Sequence, residues 1–363
     1  MDDYLTHMAE NIFTPCDYSF GRFSVTSNWI KSRFGAYHRY PVKSRLQMIC
    51  DDIRQHFKTD NFMDEPLPKS SDVLKSLNKM LKFKNTLALY KDFYKKSGIS
   101  DKFLMPSAKT LEWCDVYPFM YFHASFHGLE ENKDIHHLIV DEMQDYTPVQ
   151  YKVINILYTC QKTILGDFGQ FINPNHFNTL KDLRQLYEDA EYVELNKSYR
   201  STYEIITFAG RIQNIPSLEP TPRHGKMPKL ILCSTREEEL NQICKVLDGF
   251  YESKNTTLGI ILKTDNIAET YYDALSKDYD LHLISSDSSS FVNGISVTSI
   301  QMSKGLEFDQ VIIPQVNCET YFTQWDRSLL YIACTRAMHQ LSLTYTGELT
   351  PLIDAVNCFD RIN

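Results

Sequence analysis

Residues 138–150 read LIVDEMQDYTPVQ. A short apolar run ends in two adjacent carboxylates, Asp141 and Glu142, with Gln144 and Asp145 close behind. Such a run reads as a strand buried on both faces, and open α/β sheets bind ligands at the carboxyl ends of their strands. Hydrolysis of a nucleoside triphosphate needs two adjacent carboxylates in unlike roles. One holds Mg²⁺ and the other aligns or deprotonates the attacking water. An isolated D-E pair after a strand is more often a solvated loop, so the segments that follow carry the decision.

Four of them fall in order. Residues 163–170, TILGDFGQ, form another apolar run ending in Gly-Asp, with Gln170 beyond. Residues 193–201, VELNKSYRS, read as a strand followed by Tyr199-Arg200. Residues 295–313, ISVTSIQMSKGLEFDQVII, read as two strands bracketing Lys304-Gly305-Leu306-Glu307-Phe308. Residues 329–337, LLYIACTRA, set Arg336 among small residues. The ordered set resembles motifs II to VI of the superfamily 1 helicases, the UvrD/Rep-like ATPases. Residues 329–352, LLYIACTRAMHQLSLTYTGELTPL, look closest to the HelD-type branch, the ATPases that act on bacterial RNA polymerase. The segments AYHRYPVKSRLQMI (36–49), LALYKDFYKKSG (87–98) and LEWCDVYPFMYF (111–122) fit that branch too.

This resemblance implies an α/β fold of RecA-like P-loop NTPase lobes, with ATP and Mg²⁺ as cofactors. By resemblance, Asp141 holds Mg²⁺ through its water shell and Glu142 positions the nucleophilic water. Gln170 senses the γ-phosphate, and Arg200 and Arg336 neutralise charge on the transferred phosphoryl group. Tyr199 stacks on the adenine, Glu307 accepts from the ribose hydroxyls, and Lys304-Gly305 form the turn that links nucleotide state to polymer contact. The competing readings are a structural ion pair for each arginine and a core position for Tyr199.

One part of the pattern is missing. Such an ATPase cradles the phosphates with G-x-x-x-x-G-K-[ST]. The only Gly-Lys pair here, Gly225-Lys226, is followed by Met227. In the family that loop lies well upstream of the D-E motif. The chain is therefore expected to act as a carboxyl-terminal half, with an incomplete first lobe and a complete second one, and to need the P-loop half in cis or trans for turnover. Two departures weaken a DNA-unwinding reading. FINPNHF at 171–177 puts Asn173, Asn175 and His176 where UvrD/Rep proteins place groups that hold single-stranded DNA, and Gln301 stands where a His is usual. Base stacking contributes ~1–3 kcal/mol per base, which Asn cannot supply. The expected partner is RNA polymerase or a DNA/RNA complex. The alternatives are a UvrD/Rep-like DNA helicase or translocase and a non-enzymatic relic that binds protein.

Composition sets outer bounds. A chain of 363 residues with 43% hydrophobic and 23% charged content can bury two or three cores. Nine cysteines with no C-x-x-C pair argue against a disulfide framework or zinc ribbon and point to a reducing cytoplasm. The start MDDYLTHMAE is no secretory signal, and no apolar run reaches the ~20 residues of a membrane span. Residues 1–110 carry 18 Lys/Arg against 12 Asp/Glu, while the remainder carries 20 against 34. The motif-bearing part thus lacks the basic balance of a nucleic-acid groove.

Three regions are expected. Residues 1–110 form a basic, mostly helical region after an irregular start, with helical spacing at 45–57, a loop at 60–72 and a helical stretch at 73–98. Residues 111–192 hold the rest of the first lobe, and 193–363 the second. His136 and His137 precede the D-E pair, but adjacent strand residues point to opposite faces, so they read as structural.

Overall fold

The computed structural model describes the chain except residues 63, 108, 168–169, 171–178, 214, 216–218, 286–291, 355–358 and 363. The segment 171–177, with Asn173, Asn175 and His176, therefore lies outside the described residues. Two compact units emerge. The first comprises 1–141 with 146–165, and the second 142–145 with 166–363.

The first unit begins with helix α1 (Asp2–Asn11), where an irregular start was expected. Met8 and Ile12 face its core, which explains why an acidic, polar-looking terminus still folds. A short antiparallel hairpin follows, β1 (Tyr18–Phe20) and β2 (Phe23–Val25), turning at Gly21 with φ +60°. Then come α2 (Ser27–Ala36), α3 (Val42–Thr59), α4 (Ser70–Lys79), α5 (Thr86–Lys96) and α6 (Trp113–Phe126). In α3, Leu46, Ile49, Cys50, Ile53 and Phe57 recur at helical spacing and are all buried. The basic stretch 73–98 splits into α4 and α5. Its Phe83 and Tyr90 are buried, while Lys75, Lys79, Lys82, Lys84, Lys91 and Lys95 are exposed. The interleaved aromatics thus serve the core and the lysines serve solubility.

A strand–helix–strand unit ends this region: β3 (His137–Val140), α7 (Pro148–Leu157) and β4 (Gln161–Ile164), the strands parallel and paired from His137↔Gln161 to Val140↔Ile164. The TPVQ that closes the opening stretch is a capping box, Thr147 and Gln150 satisfying each other's backbone amides with Pro148 at the first helical position. Burial on both faces was expected of β3, and the structure differs. Val140 is buried but Ile139 is 66% exposed, because only two strands pair here among the described residues.

The second unit is built on a seven-stranded sheet of order β13-β7-β12-β11-β8-β10-β9, parallel at every pairing. Before it lie α8 (Thr179–Leu186), the two-residue strands β5 (Lys197–Ser198) and β6 (Glu219–Pro220), and α9 (Tyr203–Gln213). A strand was expected from 193; only Lys197–Ser198 pair, and Val193 and Leu195 are exposed. The sheet strands are β7 (Lys229–Cys233), β8 (Thr257–Leu262), β9 (Leu281–Ile284), β10 (Gly294–Ser299), β11 (Phe308–Ile313), β12 (Ala337–Thr346) and β13 (Asp360–Ile362). Helices α10 (Arg236–Tyr251), α11 (Asp265–Leu275), α12 (Gln324–Thr335) and α13 (Pro351–Asp354) complete the unit. The alternation of the strands sorts their side chains into two cores. Ile261, Val311 and Ile313 pack with α9 and α12; Leu258, Ile260, Leu262 and Ile312 pack with α10 and α11. Helices on both faces are why TLGIIL and FDQVII are almost continuously apolar. All eight described cysteines are free thiols, and among the described residues no helix is long and apolar enough to cross a membrane.

Gly259 sits where β8 passes under the Phe308 ring, and a Cβ there would lie 2.7 Å from Phe308 Cδ2. Gly259→Ala is expected to destabilise the second unit by about 1–3 kcal/mol, as overpacked cores do. Urea unfolding followed by circular dichroism reads this directly.

Candidate functional site

Asp141 closes β3 in the first unit and is exposed. Its neighbour Glu142 opens the short helical turn Met143–Asp145, which groups with the second unit. Glu142 has φ +53°, a left-handed conformation that costs a non-glycine residue ~1–3 kcal/mol unless its surroundings impose it. Gln144 is the nearest constraint. Fully buried, its amide donates to Glu142 Oε2 at 2.6 Å, while its Oε1 accepts from the Asp167 backbone N–H at 3.1 Å. Gly166 makes this approach feasible, because a Cβ there would meet Gln144 Oε1 at 2.4 Å.

Lys304 reaches the same cluster from the loop after β10. Its side chain is 9% exposed, and Nζ lies 2.7 Å from Asp145 Oδ2, 3.2 Å from Glu142 Oε2 and 3.5 Å from the Gln170 carbonyl. Gly305, at φ +81°, turns the chain directly behind it. Gln170 then connects two charge groups. Its Nε2 donates to Asp167 Oδ2 at 2.8 Å, and its Oε1 accepts from Arg336 Nη2 at 2.7 Å.

Arg336 caps the carboxyl end of α12 and is only 2% exposed. It donates from Nε to Ile332 O at 3.2 Å and from Nη1 to Leu306 O at 3.4 Å. Burial and the nearby Arg200 push its pKa below the usual arginine value, and Glu142, Glu307 and Asp167 oppose that shift. The pairing register Phe308↔Ala337 puts Glu307 and Arg336 one residue ahead of adjacent strands, at the same edge of the sheet. Arg200 is held beside them through its neighbours. The Ser201 hydroxyl donates to Ala337 O at 2.6 Å, and Thr202 N–H to Met338 O at 3.2 Å. Arg200 Nε pairs with Glu307 Oε1 at 2.5 Å, and the adjacent Tyr199 is 71% exposed.

Glu142, Gln170, Arg200, Lys304, Gly305, Glu307 and Arg336 thus share one unit, with Tyr199 on the segment carrying Arg200. Asp141 belongs to the other unit. Gln144, Asp145 and Asp167 received no role from sequence; their polarity beside the D-E and Gly-Asp pairs was the available signal. His136 and His137 are exposed, and His137 Nε2 lies 2.9 Å from Thr163 Oγ1, in keeping with a structural reading.

The other end of α12 is anchored just as firmly. Thr323 and Asp326 form its capping box, and Asp326, 1% exposed, pairs with Lys263 Nζ at 2.6 Å. Burial raises the Asp326 pKa, but the Lys263 ammonium and the Thr323 and Phe322 amides outweigh it and leave it lowered. A lowered folded pKa stabilises above the unfolded value, and that stabilisation fades as pH falls through the folded pKa. Stability should therefore drop below about pH 4, and Asp326→Asn should flatten that part of a Tm-against-pH curve. Arg336→Ala removes the guanidinium donors to Leu306 O and Gln170 Oε1, and one of the donors to Ile332 O, which keeps the Thr335 hydroxyl; the expected loss is about 3 kcal/mol in chemical denaturation.

Residues 294–344, from β10 into β12, match the UvrD-like helicase C-terminal domain. DNA helicase II of Haemophilus influenzae is 36% identical over 80 residues, 21% of this chain and 11% of that protein. A protein of Acanthamoeba polyphaga mimivirus, described as a candidate ATP-dependent DNA helicase, is 24% identical over 260 residues, 62% of this chain and 37% of its own length. The chain therefore spans well under half of either curated relative. Among solved structures, the C-terminal domain of a possible DNA helicase from Lactobacillus plantarum WCFS1 is 32% identical, covering 45% of this chain and 98% of that one at a TM-score of 0.40. Arterivirus nonstructural protein 10, a helicase, is 15% identical over 60% of this chain and 40% of its own, at a TM-score of 0.33. Through residues 294–344 and these DNA-helicase relatives, the chain is related to the carboxyl-terminal half of the superfamily 1, UvrD-like helicases.

Proposed function

We propose that the second unit is the second RecA-like lobe of a UvrD/Rep-type, ATP-driven DNA helicase or translocase. The observation that carries this reading is the gathering of Arg200, Lys304, Glu307, Arg336, Gln170 and Glu142 from five separate stretches of sequence, the Arg200–Glu307 pair lying near enough to Arg336 to act on its charge and the other four joined by hydrogen bonds and ion pairs. Two guanidiniums aimed into one polar cluster suit the γ-phosphate end of ATP, where charge develops as the phosphoryl group transfers. Tyr199, exposed on the segment that bears Arg200, offers a ring face for adenine. Glu307 suits the ribose hydroxyls. Glu142 is the group to orient the attacking water, and Asp141 the one to hold Mg²⁺ through its water shell. The 363 residues contain no G-x-x-x-x-G-K-[ST] cradle, so this reading assigns the β-phosphate end of the nucleotide to a P-loop half in cis or in trans.

A second reading keeps the chemistry and changes the target. Gln301, exposed at the motif position where a His is usual, and the acidic balance of residues 111–363 favour a HelD-type ATPase that remodels RNA polymerase. Retention of core RNA polymerase, with no salt-sensitive binding to single-stranded DNA, would select it.

Photolabelling with 8-azido-ATP tests the nucleotide site itself. The label is expected on the peptide carrying Tyr199, to be competed by ATP and to be reduced in Arg200→Ala. Labelling elsewhere, or labelling that ATP does not compete, would end the proposal. In parallel, Mg²⁺-ATP turnover by the chain alone should not exceed that of its Glu142→Gln copy. Turnover that the substitution abolishes would show that the chain completes its own cradle.

A further inference from the structure

The geometry points to a device beyond nucleotide recognition, and it rests on the ion pairs alone, whether or not the chain binds ATP. We propose that Lys304 is a tethered countercation that locks Glu142 and Asp145 together, an autoinhibitory contact that a divalent cation releases.

Three features of the cluster argue for this. The two carboxylates sit within reach of one ammonium, at 3.2 and 2.7 Å, and like charges so placed repel unless a cation stands between them. The ammonium has three donors, and three acceptors surround it: Glu142 Oε2, Asp145 Oδ2 and the Gln170 carbonyl. Its side chain is 9% exposed, so the ammonium is held at the cluster, while the two carboxylates, 36% and 38% exposed, remain open to a cation from solvent. While Lys304 stays there, Glu142 is pinned from two sides, by Nζ and by the Gln144 amide. A carboxylate held in this way is a poor base for water.

Hydrated Mg²⁺ or Mn²⁺ carries twice the charge of an ammonium and can satisfy the same oxygens through its waters. Divalent cation and ammonium therefore compete for one place. The cation wins only if Lys304 can swing away, and its loop has the means, turning at Gly305 with φ +81°. The exchange would pass Glu142 from the ammonium to the hydrated cation and move the loop between β10 and β11 in one step.

Electron paramagnetic resonance of Mn²⁺ reads the competition without any need for turnover. Lys304→Met should bind Mn²⁺ at least about tenfold more tightly than the parent chain. Lys304→Arg should behave like the parent, and adding Asp145→Asn to Lys304→Met should abolish the gain. Equal Mn²⁺ affinity in parent and Lys304→Met would overturn the proposal. A second measurement needs no variant: acetylation of lysines in the parent chain, followed by mass spectrometry with and without Mn²⁺. Lys304 should react slowly in the metal-free chain and several-fold faster with Mn²⁺, while exposed Lys75 stays unchanged. A Lys304 rate indifferent to Mn²⁺ would equally overturn it. Neither readout involves nucleotide, so failure here is separable from failure of the ATP reading.

Discussion

A guanidinium cannot be taken out of water unless its donors are met, and Arg336 is almost wholly out of water. Much of the second unit answers that demand. Two backbone carbonyls, Ile332 O and Leu306 O, and one neutral side chain, Gln170, receive its hydrogen bonds. Each acceptor comes from a different place: the last turn of α12, the loop before β11, and the segment after β4. Holding them together requires α12 to end where β11 and β12 begin, which the register of that strand pair enforces. The capping box and the Lys263–Asp326 pair fix the opposite end of the same helix.

Two buried or half-buried glutamines keep the charges in order. Gln144 touches Glu142 and the Asp167 amide; Gln170 touches Asp167 and Arg336. Neutral amides can donate and accept at once, so they link carboxylates to cations without adding a charge that must itself be balanced. Gly166 belongs to this arrangement, since any larger residue would push Gln144 from its place. The result is a cluster in which Lys304 is paired with Glu142 and Asp145 and Arg200 with Glu307, while Arg336 and Asp167 are joined through the neutral Gln170.

The seven-stranded sheet and the β3–β4 pair differ in how completely they are covered. In the second unit both faces carry helices, and strands such as β8 are buried throughout. In the first, β3 and β4 pair only with each other among the described residues, and Ile139 and Leu165 remain exposed. An apolar sheet with unpaired edges is a surface that proteins ordinarily cover or pair.

Alternation and apolar runs were enough to read the second unit from sequence. ISVTS and FDQVII read as strands and LIVDE as a strand ending in two carboxylates, whereas the capped helix that starts at TPVQ emerged only in the structure. Gln170, Arg200, Lys304, Glu307 and Arg336 were singled out in another way, by the resemblance of their segments to helicase motifs. Local pattern did not reach three things. The amino terminus became a helix because Met8 and Ile12 found a core made by distant helices, and of the strand expected from 193 only Lys197–Ser198 form one among the described residues. The partners of the charged groups were equally out of reach: Lys304 lies 159 residues from Asp145, and Arg336 lies 166 from Gln170. Sequence determined which residues can carry charge and which segments can be strands, because both are local properties of side chains and backbone. Only the tertiary structure decided which charges neutralise one another, because burial sets the demand for a partner and the strand register sets who is near enough to meet it.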